Sequence, residues 1–190
     1  RFESLYNGPI DSEVAQAIKN CDPEGPLIFF VSKMIREETR KLCFGRIFSG
    51  TMRAGQIVRI LVPGYDPSNT QHAFGELVVD KPIQSINVQI SFETLESIDV
   101  APCGNLVAVM GLDSYILKSA TITDSPQAHT IKSVRCSAPV VSVAVEPKHP
   151  ADLPRLIDGL RSLAKVNQML RITTSEMGEH LVAGESELHL

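Results

Sequence analysis

The chain has 190 residues, 43% of them hydrophobic and 21% charged, with a formal net charge of −4. That is enough for one large or two small cores. An acidic balance argues against a general nucleic-acid binder, and no stretch approaches the roughly 20 consecutive apolar residues of a membrane span. The opening RFESLYNGP has no basic-then-apolar signal pattern, and a first residue of Arg1 instead of Met is what a piece of a longer protein would show.

Residues 1–24 read as a connector. IDSEVAQAIKN offers Asp11 or Ser12 as a helix cap, with Val14, Ala17 and Ile18 on one face. From Pro26 the pattern turns to short β-like runs, LIFFVSKM, KLCFGRIFSG, QIVRILV, SINVQISF, NLVAVMGL and ATITD, separated by turn material such as PGYDPSNT, VAPCGN and DSPQAH. Many short strands with glycine at the turns predict a small antiparallel β-barrel over residues 25–135. Within it, FGRIFSGTMRAGQIVRIL predicts a hairpin, with Gly50 and Gly55 supplying the positive φ of a tight reversal.

After Arg135 the grammar changes. PVVSVAV reads as a strand, and Leu153, Leu156, Ile157, Leu160, Leu163 and Ala164 then fall on one helical face. Pro147, Pro150 and Pro154 make the entry a stiff elbow: Pro147 ends the strand, Pro150 rigidifies the crossover, and Pro154 is tolerated in the first helical turn. QMLRITTS and GEHLVAG read as two further strands around a turn near Met177 and Gly178, and ESELHL as the start of a second helix with Ser186 as its cap. The order β, α, β, β opens a split βαβ, ferredoxin-like domain over 136–190, incomplete after its second helix begins. The expected fold class is therefore mainly β plus α+β.

Signs of chemistry are sparse. Cys21, Cys43, Cys103 and Cys136 never form C-x-x-C and read as reduced cytosolic thiols. His180 and His189, each near an acid, read as surface or hairpin residues. There is no P-loop, G-x-S-x-G, H-E-x-x-H or G-x-G-x-x-G. Asp22-Pro23-Glu24-Gly25 fits D-x-x-G, but it precedes a barrel strand and is too short a pattern to be read as a nucleotide switch. Glu37/Glu38 and Glu185/Glu187 sit in polar segments where nothing would raise a carboxyl pKa toward catalytic use.

Charge, by contrast, is segregated. Residues 33 to 59 hold seven cations, Lys33, Arg36, Arg40, Lys41, Arg46, Arg53 and Arg59, against two acids, a net +5, while residues 60 to 100 hold one cation and six acids, a net −5. Two readings stand: a strip that meets a phosphate backbone, or a solvated hairpin edge guarded by charge.

VSVAVEPKHPADLPRLIDGLRSLAKVNQM, followed by GEHLVAG and ELHL, closely resembles the third domain of eukaryotic and archaeal translation elongation factor 2. FGRIFSGTMRAGQIVRIL is similar to the first half of that family's second domain, the β-barrel shared by translational GTPases. LYNGPIDSEVAQAIKNCDPEGPLIFFVSKM resembles the segment leading there from the GTPase domain, so the resemblance covers essentially all 190 residues. The chain departs from the family at Gly184-Glu185-Ser186, where Gly-x-Gly is usual; serine suits a helix cap but not a positive φ. DPSNTQHAFGE matches only loosely. The elongation-factor-like spliceosomal and ribosome-maturation GTPases share this architecture. PKHP and LKSAT lean toward the latter, but the unbroken VSKMIREETRKLCFGRIFSG lacks the insertion expected there.

The resemblance implies a non-catalytic portion of a cytoplasmic, ribosome-dependent GTPase that promotes translocation of tRNA and mRNA. GTP and Mg would be held in a preceding domain, with no cofactor, metal or catalytic residue here. The implied partners are small-subunit rRNA, ribosomal proteins and the parent's other domains, with no membrane. It favours an RNA-facing role for the basic strip and makes Arg135, Cys136, Ser137, Ala138 and Pro139 a candidate interdomain hinge. The parent is expected to be a monomer, and the uncovered flank of an incomplete third domain a route to dimers of the fragment.

Overall fold

A computed structural model describes residues 4–37, 40–63, 65, 78–91, 94–133, 138–167, 169–176 and 178–190. The chain divides into two compact units, 1–133 and 134–190. The segment read as a connector thus falls in the same unit as the strands that follow it.

The first unit opens with helix α1, Glu13–Asn20. Ser12 caps it, its hydroxyl accepting a hydrogen bond from Ala15 N–H at 3.2 Å, and this satisfies one of the donors a helix start leaves free. Val14, Ala15, Ala17 and Ile18 are buried. The helix ends at Cys21, which adopts a left-handed conformation with φ 51° and ψ 53°.

The strands follow as β1 (Ile28–Glu37), β2 (Arg40–Ser49), β3 (Thr51–Arg53), β4 (Ile57–Leu61), β5 (Val78–Pro82), β6 (Ser85–Gln89), β7 (Leu95–Ile98), β8 (Val100–Pro102), β9 (Leu106–Met110) and β10 (Ala120–Thr123). Eight of them form one sheet in the order β5-β4-β10-β1-β2-β9-β6-β7, and β3 pairs with β8 in a separate two-stranded ribbon. Every pairing is antiparallel. Short bonds lace the far strands together at one end: Gly55 N–H donates to Ile83 O at 2.9 Å, and Ala54 N–H to Asp99 O at 2.9 Å.

Strand alternation sends residues of β1 to two cores. Phe29 and Val31 are fully buried within the sheet. Ile28 points to the other side and joins Val14, Ala15 and Ile18 of α1 in a cluster with Tyr6, Leu61, Ala128 and Ile131, against which Phe30 and Phe48 pack. Burying a Val or Ile side chain contributes roughly 1.5–3 kcal/mol, so α1 is held by its apolar face more than by its length.

The hairpin expected from FGRIFSGTMRAGQIVRIL does not form. β2 lies between β1 and β9, and β4 between β5 and β10, so two strands stand between them. Gly50 does turn the chain, at φ 75°, but the three residues after it pair with β8 instead of folding back on β2. Gly55 makes a second turn into β4, at φ 79°.

The second unit holds β11 (Val141–Val145), α2 (Leu153–Val166), β12 (Arg171–Thr174) and β13 (His180–Gly184), with sheet order β11-β13-β12. β13 pairs antiparallel with both neighbours. Leu160 of α2 packs with Leu170 and Val182, and Leu156, Ile172 and Val145 flank them. Leu153 and Leu163, read as part of the same apolar stripe, are each 41% exposed. His149 is extended, the conformation a following proline favours, and Pro150 starts a 3-10 turn, Pro150–Asp152, that runs straight into α2. The helix expected at ESELHL is a 3-10 turn, Glu187–His189, preceded by Ser186 at φ −155°, an extended conformation that serine adopts without strain.

Candidate nucleic-acid interface

The basic strip lies mainly on β1 and β2, and a β-bulge decides which of its cations share a face. The register runs Phe30↔Arg46 and Val31↔Gly45, then skips to Lys33↔Phe44, leaving Ser32 as the extra residue. Without the bulge Ser32 would oppose Phe44 and Lys33 would point the opposite way. With it, Lys33, Phe30, Phe44, Arg46 and Phe48 sit on one face.

On that face each cation lies beside a ring. Lys33 Nζ is 5.7 Å from the centroid of Phe44, and the Arg46 guanidinium carbon 6.0 Å from that of Phe48; both positions favour attraction between the charge and the ring's negative face. Lys33 and Arg46 are exposed, and Phe44 and Phe48 half-buried. Leu106, Arg46's partner on β9, is 54% exposed and extends the apolar part of the patch.

Gly45 makes this geometry possible. A Cβ there would collide with the Phe30 carbonyl oxygen and come 2.8 Å from its carbon, so a larger residue would push β1 off β2 next to the bulge.

Of the other predicted cations, Lys41, Arg53 and Arg59 have described side chains. Lys41 is half-buried and, by strand alternation, faces away from Phe44. The backbones of Arg36 and Arg40 pair with those of Lys41 and Glu37 near the hairpin end. Arg53 is exposed on β3. Arg59, on β4, donates from Nε to Asp80 Oδ1 at 3.1 Å, so its charge is already matched. Among the described side chains, the strip thus places Lys33 and Arg46 together on one cationic–aromatic face. The signal that marks it in sequence is the alternation Phe44, Arg46, Phe48.

No protein-family model matches the chain.

The remaining candidates are structural. Asp22 accepts a hydrogen bond from Glu24 N–H at 3.0 Å, a local turn, while its carbonyl receives Gly50 N–H at 2.8 Å and the Pro23 carbonyl receives the Thr51 hydroxyl at 2.8 Å. The D-x-x-G segment is thus tied to the β2–β3 junction. Cys43 is fully buried, and burial together with the Asp113 charge pushes its thiol up to about 12, so it stays protonated. Among the described residues no group of three or more His, Cys, Asp or Glu is placed to hold a metal ion, and no helix is long and apolar enough to cross a membrane. Of the candidate hinge, Arg135, Cys136 and Ser137 lie outside the described residues, and Ala138 and Pro139 are exposed.

Proposed function

We propose that this chain is a ribosome-contacting and interdomain relay portion of a translational GTPase of the elongation factor 2 type, and that the face bearing Lys33, Phe44, Arg46 and Phe48 rests on RNA. That face carries the reading. Two exposed cations with adjacent rings offer both phosphate attraction and a stacking surface, the combination that single-stranded or looped RNA engages. Two further features support it. A laced antiparallel sheet suits a translation-factor barrel, and the order β11-β13-β12 with α2 after β11 suits the first three strands of a ferredoxin-like domain. On this reading GTP and Mg belong to a preceding domain, the 190 residues bind neither, and the short link Arg135 to Pro139 is the hinge of the relay.

The test is binding of the full chain to purified small ribosomal subunits across a salt series. Each phosphate contact contributes about 0.7–0.9 to the slope of log K against log[salt]. The Lys33→Ala/Arg46→Ala variant should lower that slope by about 1.5, and Arg59→Ala should leave it unchanged. Tighter binding to spliceosomal particles or to pre-ribosomal subunits would move the assignment to the related GTPases. Absence of salt-sensitive binding to all three would overturn it.

A further inference from the structure

Cys21 and Cys103 are 82 positions apart in sequence, yet each side chain lies on the other's turn. The Cys103 thiol donates to the Cys21 carbonyl, with Sγ 2.9 Å from the oxygen. In return, a Cβ built on Gly104 would lie 3.7 Å from Cys21 Sγ. Both turns are anchored to the same stretch of backbone: Gly104 N–H donates to Ile47 O at 2.8 Å, and Gly50 N–H donates to Asp22 O at 2.8 Å. The two thiols are therefore held in register by hydrogen bonds from opposite sides of the end of β2. Cys21 is exposed and Cys103 half-buried.

Cys21 also breaks a local rule. It ends α1 at φ 51°, the left-handed position that helices normally give to glycine or asparagine. A side chain with a Cβ is strained there, and cysteine offers the helix no compensating capping bond that asparagine would not.

We infer that Cys21 and Cys103 form a reversible intramolecular disulfide when the chain meets a low-molecular-weight disulfide such as oxidised glutathione, making this pair a thiol modification site. The exposed Cys21, as thiolate, attacks one sulfur of the small disulfide, releasing one small thiol and leaving a mixed disulfide on Cys21. Cys103 then gives its proton to solvent and attacks the Cys21 sulfur, forming the protein disulfide and releasing the second small thiol. The protein loses two electrons and two protons, and the small disulfide gains them. Loss of water around its sulfur and then the neighbouring Cys21 side chain hold Cys103 up to about 11, so few Cys103 thiols are ionised at neutral pH and the proton must leave before the second step. The bond would staple the C-terminus of α1 to the β8–β9 turn.

The experiment is incubation of the full chain with oxidised glutathione, followed by alkylation and peptide mass spectrometry without reduction. The expected result is a Cys21–Cys103 linked peptide, formed at a rate independent of protein concentration, reversed by dithiothreitol, and accompanied by a melting temperature several degrees above that of the reduced chain. Cys103→Ser, checked for native circular dichroism, should stop at a glutathione adduct on Cys21, and Cys21→Ser should give no internal bond. Persistence of the Cys21 adduct in the unsubstituted chain would overturn the inference. So would a bond joining any other pair of cysteines, or one joining two chains.

Discussion

Gly50 and Gly55 both sit at positive φ, 75° and 79°, but in different surroundings. A Cβ on Gly50 would lie 2.6 Å from Leu27 Cα, 2.7 Å from Leu27 N and 2.9 Å from Gly25 O, whereas one on Gly55 would meet nothing within 4 Å. Alanine at either position costs about 1–2 kcal/mol for left-handed backbone, offset by about 0.4–1 kcal/mol because the unfolded chain loses freedom. Gly55→Ala should therefore destabilise by about 1 kcal/mol. At Gly50 the clash is with backbone, which cannot rotate away, and overpacking adds about 1–3 kcal/mol. The shift it forces also strains the 2.8 Å bond from Gly50 N–H to Asp22 O. Gly50→Ala should thus lose about 3 kcal/mol, roughly 2 more than Gly55→Ala. Urea unfolding followed by far-ultraviolet circular dichroism suits a chain without tryptophan. With a slope near 1.5 kcal/mol/M the two midpoints should differ by about 1.3 M. Midpoints that coincide would show that backbone conformation alone sets both effects and that the packing argument is wrong.

Ser12→Ala removes the hydroxyl that accepts from Ala15 N–H and should destabilise the first unit by about 1 kcal/mol; a urea midpoint equal to wild type would contradict this. Leu160→Ala empties the centre of the second unit's core and should destabilise that unit by about 3 kcal/mol. Amide exchange should then accelerate in β11, β12 and β13 but not in β1 and β2, and equal acceleration in both units would refute their independence. Cys43, pushed up to about 12 by burial and the Asp113 charge, gives a pH signature. Above pH 9 the unfolded thiol ionises while the folded one keeps its proton, so the folded state holds more protons and stability falls as pH rises, by roughly 1.4 kcal/mol per pH unit until about 12. Cys43→Ala should flatten that part of the curve, and an unchanged slope would show that the thiol is not its source.

Much of the secondary structure was legible because it rests on local physics. Ser12 is a cap by its oxygen, Val14, Ala17 and Ile18 turn one face inward, and runs such as IFFV and LVAVM can be little but strand. β3, β5, β7 and β8 escaped because they are three to five residues long and carry little apolar signal. The expected hairpin failed for a related reason: Gly50 and Gly55 announce two reversals, and nothing near them says that the residues between will find Val100–Pro102. The charge strip was visible, but its division between faces was not, because that depends on one extra residue in the ladder, Ser32, at a bulge that Gly45 accommodates by having no side chain to meet Phe30. The thiol pair was invisible for want of any local pattern: the two cysteines meet only after both turns dock on the end of β2.

The place of β10 in the sheet has a consequence for how the molecule comes into being. It is the last strand of the first unit, yet it lies between β1 and β4, pairing Thr121 with both Phe30 and Leu61. Until it is synthesised, the β1–β2 and β4–β5 ribbons have no common edge. At about 5–20 residues per second, the 41 positions from Pro82, the end of β5, to Thr123 take a ribosome roughly 2–8 s. Local hairpins form in microseconds, so for nearly all of that time the nascent chain carries two finished ribbons with unpaired inner edges, open to pairing with other strands. Assembly of the first unit is thus timed by translation of its final strand, and a pause before Ala120 would lengthen the interval in which the chain is most prone to aggregate.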